Sequence, residues 1–406
     1  MKIALMRRVD YYAGIPLCFL ATLLVRGLGL LAGPAKSPPR KVLFIELSEM
    51  GSAILVDPAM RKMQRLANAE LHFLIFQSNA ASLRLLGTVP EENVFTIRAG
   101  NFFGLAWDSL RYLFWSRRRG IDTVIDLELF SRYSALLTGL SGAARRIGFY
   151  GFNDEGLYRG HMLTHRVAYN PHLHIAKNFI SLVNATLAGR SEVPFSKTRI
   201  DDDEIRLARA PIDAGAAERM RGLVRREHPA YDPARHRIVL VNPNASELLP
   251  QRRWMPERFA DVMRGLLVED ANLLVLITGA PEEREEAALL QRQVGSERCV
   301  NFAGCVRLEE LPALYQIAAL LLSNDSGPGH FSSVTDLRSF ILFGPETPRL
   351  YGSLGNSTPI YAGLACSPCV SATNHRKSPC TDNVCLQVIT AESVLQQLRR
   401  ALAEKK

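Results

Sequence analysis

Short, continuous apolar runs alternate with helical patterns along most of the chain. The runs lie at 42–47, 71–76, 93–97, 122–127, 237–243, 272–278, 319–324 and 339–344. Apolar runs of this length that alternate with helices predict parallel strands that are buried on both faces of a sheet. Two successive series of this kind predict an α/β protein with two Rossmann-like domains that face each other across a cleft.

The stretch 186–204 lies between the two series and has no strong periodicity, so it is interpreted as a linker. We therefore expect a first domain over 41–195 and a second domain over 196–406. The length of 406 residues agrees with two domains preceded by a shorter segment. Hydrophobic residues make up 47% of the chain and charged residues 22%, which excludes a wholly disordered protein.

Residues 1–40 combine an apolar stretch with basic flanks. The first 41 residues contain seven Lys or Arg and one acid, and so carry six of the nine net positive charges. Nucleic-acid binding is therefore disfavoured, because proteins of that kind spread positive charge over a folded face. A basic and apolar head instead indicates attachment to an anionic membrane surface, with the Pro-containing residues 34–39 as a spacer.

Two segments leave alternatives open. Residues 11–33 fit a cleaved signal peptide with a poor cleavage site, or a transmembrane helix that contains Arg26. They also fit an interfacial helix on the cytoplasmic leaflet, with Tyr11 and Tyr12 at the headgroups. The aromatic and basic stretch 101–119 fits either a helix that faces the core or a second patch that faces membrane or acceptor.

Polar or Gly-rich loops follow the predicted strands of the second half, where open α/β sheets bind their ligands. The most specific of them is DSGPGH at 325–330. Backbone N–H groups of Ser326 and Gly327 at a helix start would form an anion site suited to a diphosphate. The alternative is an ordinary helix start that is capped by Asp325 or Ser326.

Five groups of segments, in this order, resemble glycosyltransferase family 9, the family of ADP-heptose:lipopolysaccharide heptosyltransferases. They are LSEMGS (47–52), VIDLELFSRYSALLTGLSGAARRIGF (124–149), NPNAS with RRW (242–246, 252–254), GAPEE (279–283), and DSGPGH with LFGPET (325–330, 342–347). The resemblance implies a GT-B fold and inverting transfer of heptose, or a related sugar, without a catalytic metal. It implies an ADP-heptose-like donor in the second domain and a lipopolysaccharide or other envelope glycolipid acceptor in the first. With the basic head, this predicts a location at the cytoplasmic face of the inner membrane.

The same resemblance assigns the donor-binding residues. They are Ser246, Arg252, Glu283, Asp325, Ser326, Gly327 and His330. The last four would contact the diphosphate and the sugar, Glu283 the nucleotide ribose, and Ser246 the region of the phosphates. Arg252 stands where the family usually has Lys; it keeps the positive charge and adds a bidentate fork.

One position departs from the family. Ser52 stands where the loop after the first strand usually ends in Gly-Asp, and that Asp is the expected general base. Either another carboxylate replaces it, or the protein binds a nucleotide sugar without catalysis, as a binding or assembly protein. Glu46 lies in the strand and Asp57 lies well round the following helix, whereas Glu49 lies in the loop itself. We therefore predict Glu49 as the base, with stabilisation of the helix start as its alternative role.

Four of the seven cysteines lie close together late in the chain. They are Cys366, Cys369, Cys380 and Cys385. Their spacing fits either a tetrahedral zinc site or reduced structural thiols that form disulfides only on occasion. The isolated positions of the other three cysteines are typical of a protein in a reducing compartment.

Overall fold

A computed structural model describes residues 3–29, 37–129, 131–152, 157–188, 192–245, 249–371 and 377–404. The chain divides into two compact units, of which the first ends at Arg206 and the second begins at Leu207.

The first unit contains a six-stranded parallel sheet. Its strands are β1 (Lys41–Ile45), β2 (Glu70–Phe76), β3 (Val94–Ile97), β4 (Thr123–Asp126), β5 (Arg145–Phe149) and β6 (His165–Val167). Their order across the sheet is β3-β2-β1-β4-β5-β6, so the order reverses between β1 and β4. Val42 of β1 lies opposite Leu71 of β2 and Thr123 of β4. This is the Rossmann order, which places a ligand crevice outside the carboxyl ends of the two strands at the reversal.

Eight helices complete the first unit in its described residues. They are α1 (Ile3–Tyr12), α2 (Gly14–Gly29), α3 (Met50–Leu55), α4 (Asp57–Ala67), α5 (Ala81–Arg84), α6 (Phe102–Arg119), α7 (Arg132–Leu140) and α8 (Ile175–Leu187). The core between sheet and helices includes Leu43, Leu74 and Tyr112, none of which is exposed. Helix α6 ends where Gly120 adopts a positive φ of 69°, a conformation that glycine takes without strain.

Helices α1 and α2 cover the apolar and basic segment that the sequence distinguishes. One side of α2 packs on α7, and Cys18 and Ala21 are buried there against Ala135 and Met162. Among the described helices, none is both long and apolar enough to cross a bilayer. Residues 30–36, which include part of the predicted spacer, lie outside the described residues.

The second unit repeats the same sheet. Its strands are β7 (Arg237–Asn242), β8 (Leu273–Ile277), β9 (Cys299–Asn301), β10 (Ala318–Asn324), β11 (Arg338–Phe343) and β12 (Ser357–Tyr361). Read from the other edge, the order is β9-β8-β7-β10-β11-β12, so the reversal here lies between β7 and β10. The prediction of two parallel, doubly wound α/β sheets is confirmed.

The second unit also has eight helices in its described residues. They are α9 (Ala216–Glu227), α10 (Pro256–Glu269), α11 (Arg284–Val294), α12 (Leu311–Ile317), α13 (Gly327–Ser332), α14 (Pro348–Tyr351), α15 (Val384–Gln387) and α16 (Ala391–Ala403). The core contains Val239, Phe259 and Leu322.

Short 3-10 turns occur in both units. They lie at Gln77–Asn79, Glu91–Asn93, Asp202–Ile205, Pro250–Arg252, Pro281–Glu283 and Leu308–Glu310.

Candidate functional site

The loop after β1 brings together Glu49, the predicted base, and Ser52, the serine that stands where the family usually has Asp. Glu49 has an extended backbone at the N-cap position of α3, and its side chain forms no capping hydrogen bond. Instead, the Ser52 hydroxyl donates to a carboxylate oxygen of Glu49 over 3.2 Å. Ser52 is buried and Glu49 is half-buried. A carboxylate therefore lies beside the position where the family usually has its Asp.

The other two acids near this loop differ from Glu49 in their surroundings. Asp57 is fully buried at the start of α4, where Arg61 Nε donates to it over 2.8 Å and Thr88 donates to its other oxygen. Glu46 is buried as well. Asp57 thus has a structural ion pair, which explains its presence without a chemical role.

A fourth carboxylate, which the sequence analysis did not include, lies at the same edge of the sheet. Glu128 follows β4, is buried, and accepts hydrogen bonds from the backbone N–H groups of Leu47 and Ser48 at 3.0 and 3.2 Å. The Ser48 hydroxyl donates to the same oxygen over 3.0 Å. Burial raises the pKa of Glu128, while the hydrogen bond from the Leu47 N–H opposes that rise. Glu128 therefore holds the loop that carries Glu49.

Asp126 stands behind Glu128 at the end of β4. It accepts a hydrogen bond from the Glu128 N–H over 3.1 Å and forms an ion pair with Arg159. Ser134 of α7 also donates to it, over 3.3 Å. Burial raises the pKa of Asp126, and the Arg159 charge counteracts that effect. These contacts fix the chain around 126–128 rigidly against α7.

The second unit joins its loops at the reversal between β7 and β10. The Asn324 amide donates to the Pro243 carbonyl over 2.7 Å, and its oxygen accepts from the Trp254 N–H over 3.1 Å. The buried Trp254 ring packs edge-on against Phe259 and donates to the Ile389 carbonyl. The turn that carries Arg252 is thereby anchored to the end of β10, next to Asp325.

Arg252 forms a buried cluster with two carboxyl groups. Its guanidinium lies 2.7 Å from Glu346, and its Nε lies 3.7 Å from an oxygen of Asp325. Burial raises the pKa of Glu346 to about 7; the nearby Asp325 adds to the rise and Arg252 opposes it. Burial also raises the pKa of Asp325, against the effect of Arg252. One fixed cation therefore lies between two acids that compete for a proton.

The loop between β10 and α13 contains the remaining predicted donor residues. Ser326 occupies the N-cap position of α13, and its side chain forms no capping hydrogen bond there. The Ser326 hydroxyl bonds instead to the Asn324 carbonyl over 3.2 Å. A Cβ at Gly327 would lie 2.9 Å from the Phe331 ring, so close packing against this ring explains why the position is a glycine. The buried His330 has its Nδ1 3.5 Å from the Ser353 hydroxyl.

Glu283 lies after β8, near the end of β7. Its carboxylate accepts from the Ala280 N–H over 2.7 Å, and burial raises its pKa. A Cβ at Gly279 would lie 2.8 Å from Glu283 and 2.9 Å from Asn244, so the glycine allows these two side chains to approach. Ser246, the last predicted donor residue, lies outside the described residues.

The late cysteines give the zinc alternative no support. All four are free thiols, and Cys366 is exposed whereas Cys385 is buried. In the part of the chain that the structure describes, no three His, Cys, Asp or Glu side chains converge as a metal-binding group. Burial raises the pKa of Cys385, with smaller effects from Cys369 and Cys380, which is typical of a structural thiol.

Glu346 should make stability depend on pH. An ordinary Glu titrates near 4.5, so between pH 4.5 and about 7 the folded chain keeps a proton that the unfolded chain has lost. The contribution of this group to the free energy of unfolding is full below pH 4.5 and is lost as the pH rises through about 7. We expect Glu346→Gln to flatten this decline in denaturant titrations at several pH values. An unchanged pH profile in the variant would contradict the assignment.

Two six-stranded parallel sheets, each with polar loops at its strand-order reversal, fit a GT-B-like glycosyltransferase fold. The chain belongs to glycosyltransferase family 9 (heptosyltransferase), whose family model matches residues 116–378, more than half of its length.

The similar proteins are named as heptosyltransferases or as a family 9 glycosyltransferase. Lipooligosaccharide heptosyltransferase 2 of Campylobacter jejuni is 26% identical over 169 residues, which are 40% of this chain and 51% of that protein. The chain thus spans about half the length of this relative. The solved Escherichia coli ADP-heptose LPS heptosyltransferase II matches with a TM-score of 0.67 and 18% identity, over 89% of this chain and 98% of that one. The family 9 glycosyltransferase of Veillonella parvula gives 0.69 and 17%, over 92% and 100%. At these identities the solved structures support the fold alone.

Proposed function

We propose that the protein is an inverting glycosyltransferase that transfers heptose, or a related sugar, from an ADP-heptose-like donor to lipopolysaccharide or another envelope glycolipid, without a catalytic metal. Membership of family 9 supports glycosyl transfer. The relatives named as an ADP-heptose LPS heptosyltransferase and a lipooligosaccharide heptosyltransferase support the choice of donor and acceptor. The observation that carries the proposal is the fixed Arg252 cation at the strand-order reversal of the second unit.

In this proposal the second unit binds the donor. Arg252 neutralises the diphosphate, and its buried setting strengthens that interaction because little water screens it. The loop of Asp325, Ser326, Gly327 and His330 contacts the diphosphate and the sugar. Glu283 accepts hydrogen bonds from the ribose hydroxyls, as its half-buried carboxylate near the end of β7 allows.

The first unit binds the acceptor and supplies the base. The acceptor hydroxyl oxygen attacks the anomeric carbon of the donor while Glu49 takes the hydroxyl proton. The bond between that carbon and the diphosphate oxygen breaks with inversion, and the nucleoside diphosphate leaves with the bonding electrons. Arg252 stabilises the charge that develops on the leaving phosphate. The Ser52 hydroxyl, which donates to Glu49, orients the carboxylate.

A binding or assembly protein is the second candidate function. The observation that favours it is Ser52, because a serine cannot replace the missing Asp as a base at neutral pH. In that case the donor site would remain and turnover would be lost.

The deciding experiment combines calorimetry with a transfer assay. The purified protein is titrated with a panel of nucleotide sugars and then incubated with the best ligand and extracted envelope glycolipids. We expect binding of an ADP-linked sugar and release of ADP that depends on the glycolipid. Binding without ADP release on any acceptor would favour the second function. Absence of binding to every nucleotide sugar would contradict both.

We also propose that the protein acts at the cytoplasmic face of the inner membrane, where α2 lies in the interface. On the side of α2 that faces away from α7, four apolar residues are exposed: Phe19, Leu20, Leu23 and Leu24. Such an apolar side, with basic flanks, is typical of an interfacial helix. Since α2 buries Cys18 and Ala21 against the first unit, deletion of residues 1–40 would also uncover Ala135 and Met162. Substitution of the exposed side is therefore the cleaner test.

A further inference from the structure

Helix α6 has an exposed side that is unusual for a soluble helix. Phe103, Trp107, Leu110 and Phe114 follow one another at intervals of three or four residues, and so lie along one side of the helix. Their exposed fractions are 84%, 60%, 62% and 66%. The opposite side, with Asp108, Tyr112 and Ser116, is buried in the core. Single exposed apolar residues are ordinary, but a continuous stripe marks an interaction surface. These four residues are called the aromatic stripe below.

The exposed charges on the three helices α1, α2 and α6 have one sign in the described residues. On α1, α2 and α6, every exposed charged side chain among those described is an arginine. They are Arg8, Arg26, Arg111, Arg117 and Arg118. The two acids of these helices are turned inward and paired: Asp10 accepts from the Tyr133 N–H, and Asp108 accepts from Arg98. The surface is therefore complementary to a negatively charged partner.

An open groove beside the aromatic stripe is lined by both apolar and positively charged side chains. Its volume is about 800 Å³. It is lined by Phe95, Trp107, Leu110, Arg111, Phe114, Trp115, Arg118 and Arg119. A lining that combines apolar side chains with three arginines matches a molecule that has hydrocarbon chains and an anionic head, which is the chemistry of an acidic phospholipid.

Helices α1 and α6 meet at Tyr133 of α7. Asp10 of α1 accepts a hydrogen bond from the Tyr133 N–H over 3.0 Å. The Ser109 hydroxyl of α6 lies 2.6 Å from the Tyr133 hydroxyl. The helix that carries the aromatic stripe is therefore connected, through Tyr133, to the first of the two N-terminal helices.

We propose that the aromatic stripe and its arginines form a second membrane-docking surface, which rests on an anionic lipid bilayer together with the exposed side of α2. The inference deepens the membrane location proposed above and rests on it. Two separate contacts on one rigid unit would fix the orientation of that unit on the bilayer, which a single interfacial helix leaves free to roll. Aromatic side chains suit the interface, and each arginine near an anionic surface adds to the attraction.

The test is flotation of the full chain with phosphatidylcholine vesicles that do or do not contain phosphatidylglycerol. The triple variant F103S/W107S/F114S should lower the bound fraction on anionic vesicles about tenfold, because it removes most of the apolar contact. The double variant R111Q/R118Q should lower the preference for anionic vesicles, while the basic flanks of α2 retain part of it. The matched control V268S/L289S changes equally exposed apolar residues of the second unit, 85% and 60% exposed, and should bind like the parent.

Three results would overturn the inference. In the first, the triple variant binds like the parent while L20S/L23S/L24S loses binding, so that α2 alone docks. In the second, the stripe substitutions change the oligomeric state, so that the stripe is an interface between copies. In the third, binding requires envelope glycolipid in the vesicles, so that the stripe faces the acceptor. Calorimetry with the nucleotide sugar is run on the same samples, since failure of donor binding would concern the proposed function and not this surface.

Discussion

Replacement of Glu49 by Gln is expected to lower turnover about a hundredfold or more while donor affinity stays intact. The amide keeps the size of the side chain and can still accept from the Ser52 hydroxyl, so the loop should keep its shape. It cannot take a proton from the acceptor hydroxyl. The measurement is the rate of ADP release at saturating donor and acceptor, with donor affinity from calorimetry.

Ser52→Ala is the matched control for this prediction. It removes the hydroxyl that orients Glu49 and leaves the carboxylate in place, so a smaller loss of turnover is expected than for Glu49→Gln. Ser52→Asp restores the residue that the family usually has there and should rescue part of the activity of Glu49→Gln. Normal turnover of Glu49→Gln would place the base elsewhere. Glu128 would then be the next residue to test, since it lies against the loop that carries Glu49, whereas Asp57 is held in an ion pair with Arg61.

The central strands of both sheets could be predicted from the sequence, because strands buried on both faces need continuous apolar runs. Strands β1, β4, β7 and β10 agree with the predicted runs to within about two residues. The outer strands β6, β9 and β12, with β5 beside the edge, were missed. β12 is mostly half-exposed and contains Pro359, and β6 begins with His165 and Arg166. Edge strands tolerate such residues, so β6 and β12 do not show the pattern, whereas β3 at the opposite edge of the first sheet keeps an apolar run and was predicted.

The residues of the candidate site also divide into those that the sequence singles out and those that only the structure reveals. Glu49 and Asp325 could be proposed as site residues from the sequence because the loops that carry them are formed by neighbours in sequence, and their roles stay predictions. Glu128 and Glu346 lie within segments that the resemblance quotes, but their importance depends on partners far away in sequence. Glu128 contacts Leu47 across 81 residues. Sequence spacing carries no sign of such a contact; only the parallel pairing of β1 with β4 brings the two loops together.

The sequence left two alternatives for α6, a helix that faces the core and a patch that faces membrane or acceptor; the structure confirms a buried side, and the role of the exposed side stays a prediction. Tyr112 and Asp108 face the core, as expected of an amphipathic helix, while Trp107 and Phe114 remain exposed. The apolar residues lie all around the helix, so periodicity could not tell which of them the fold covers. In the fold, Tyr112 packs into the core and Asp108 pairs with Arg98, so this side of the helix is the buried one.

Replacement of Arg252 by Ala is expected to weaken donor binding by about 1.5–3 kcal/mol, roughly ten- to a hundredfold, through loss of a charge-assisted contact to the diphosphate. The same change leaves Asp325 and Glu346 buried without their cation, so part of the loss reflects repulsion between these acids and the phosphates. Arg252→Lys keeps the charge and should retain most of the affinity, and R252A/E346Q removes one acid and should recover part of it. Calorimetry of Arg252→Ala and R252A/E346Q at pH 6 and pH 8 separates the two effects, because only the single variant keeps a group at position 346 that can ionise. Arg252 opposes the rise in the pKa of Glu346, so its removal raises that pKa further. Unchanged affinity of Arg252→Ala at both pH values would show that the phosphates bind elsewhere.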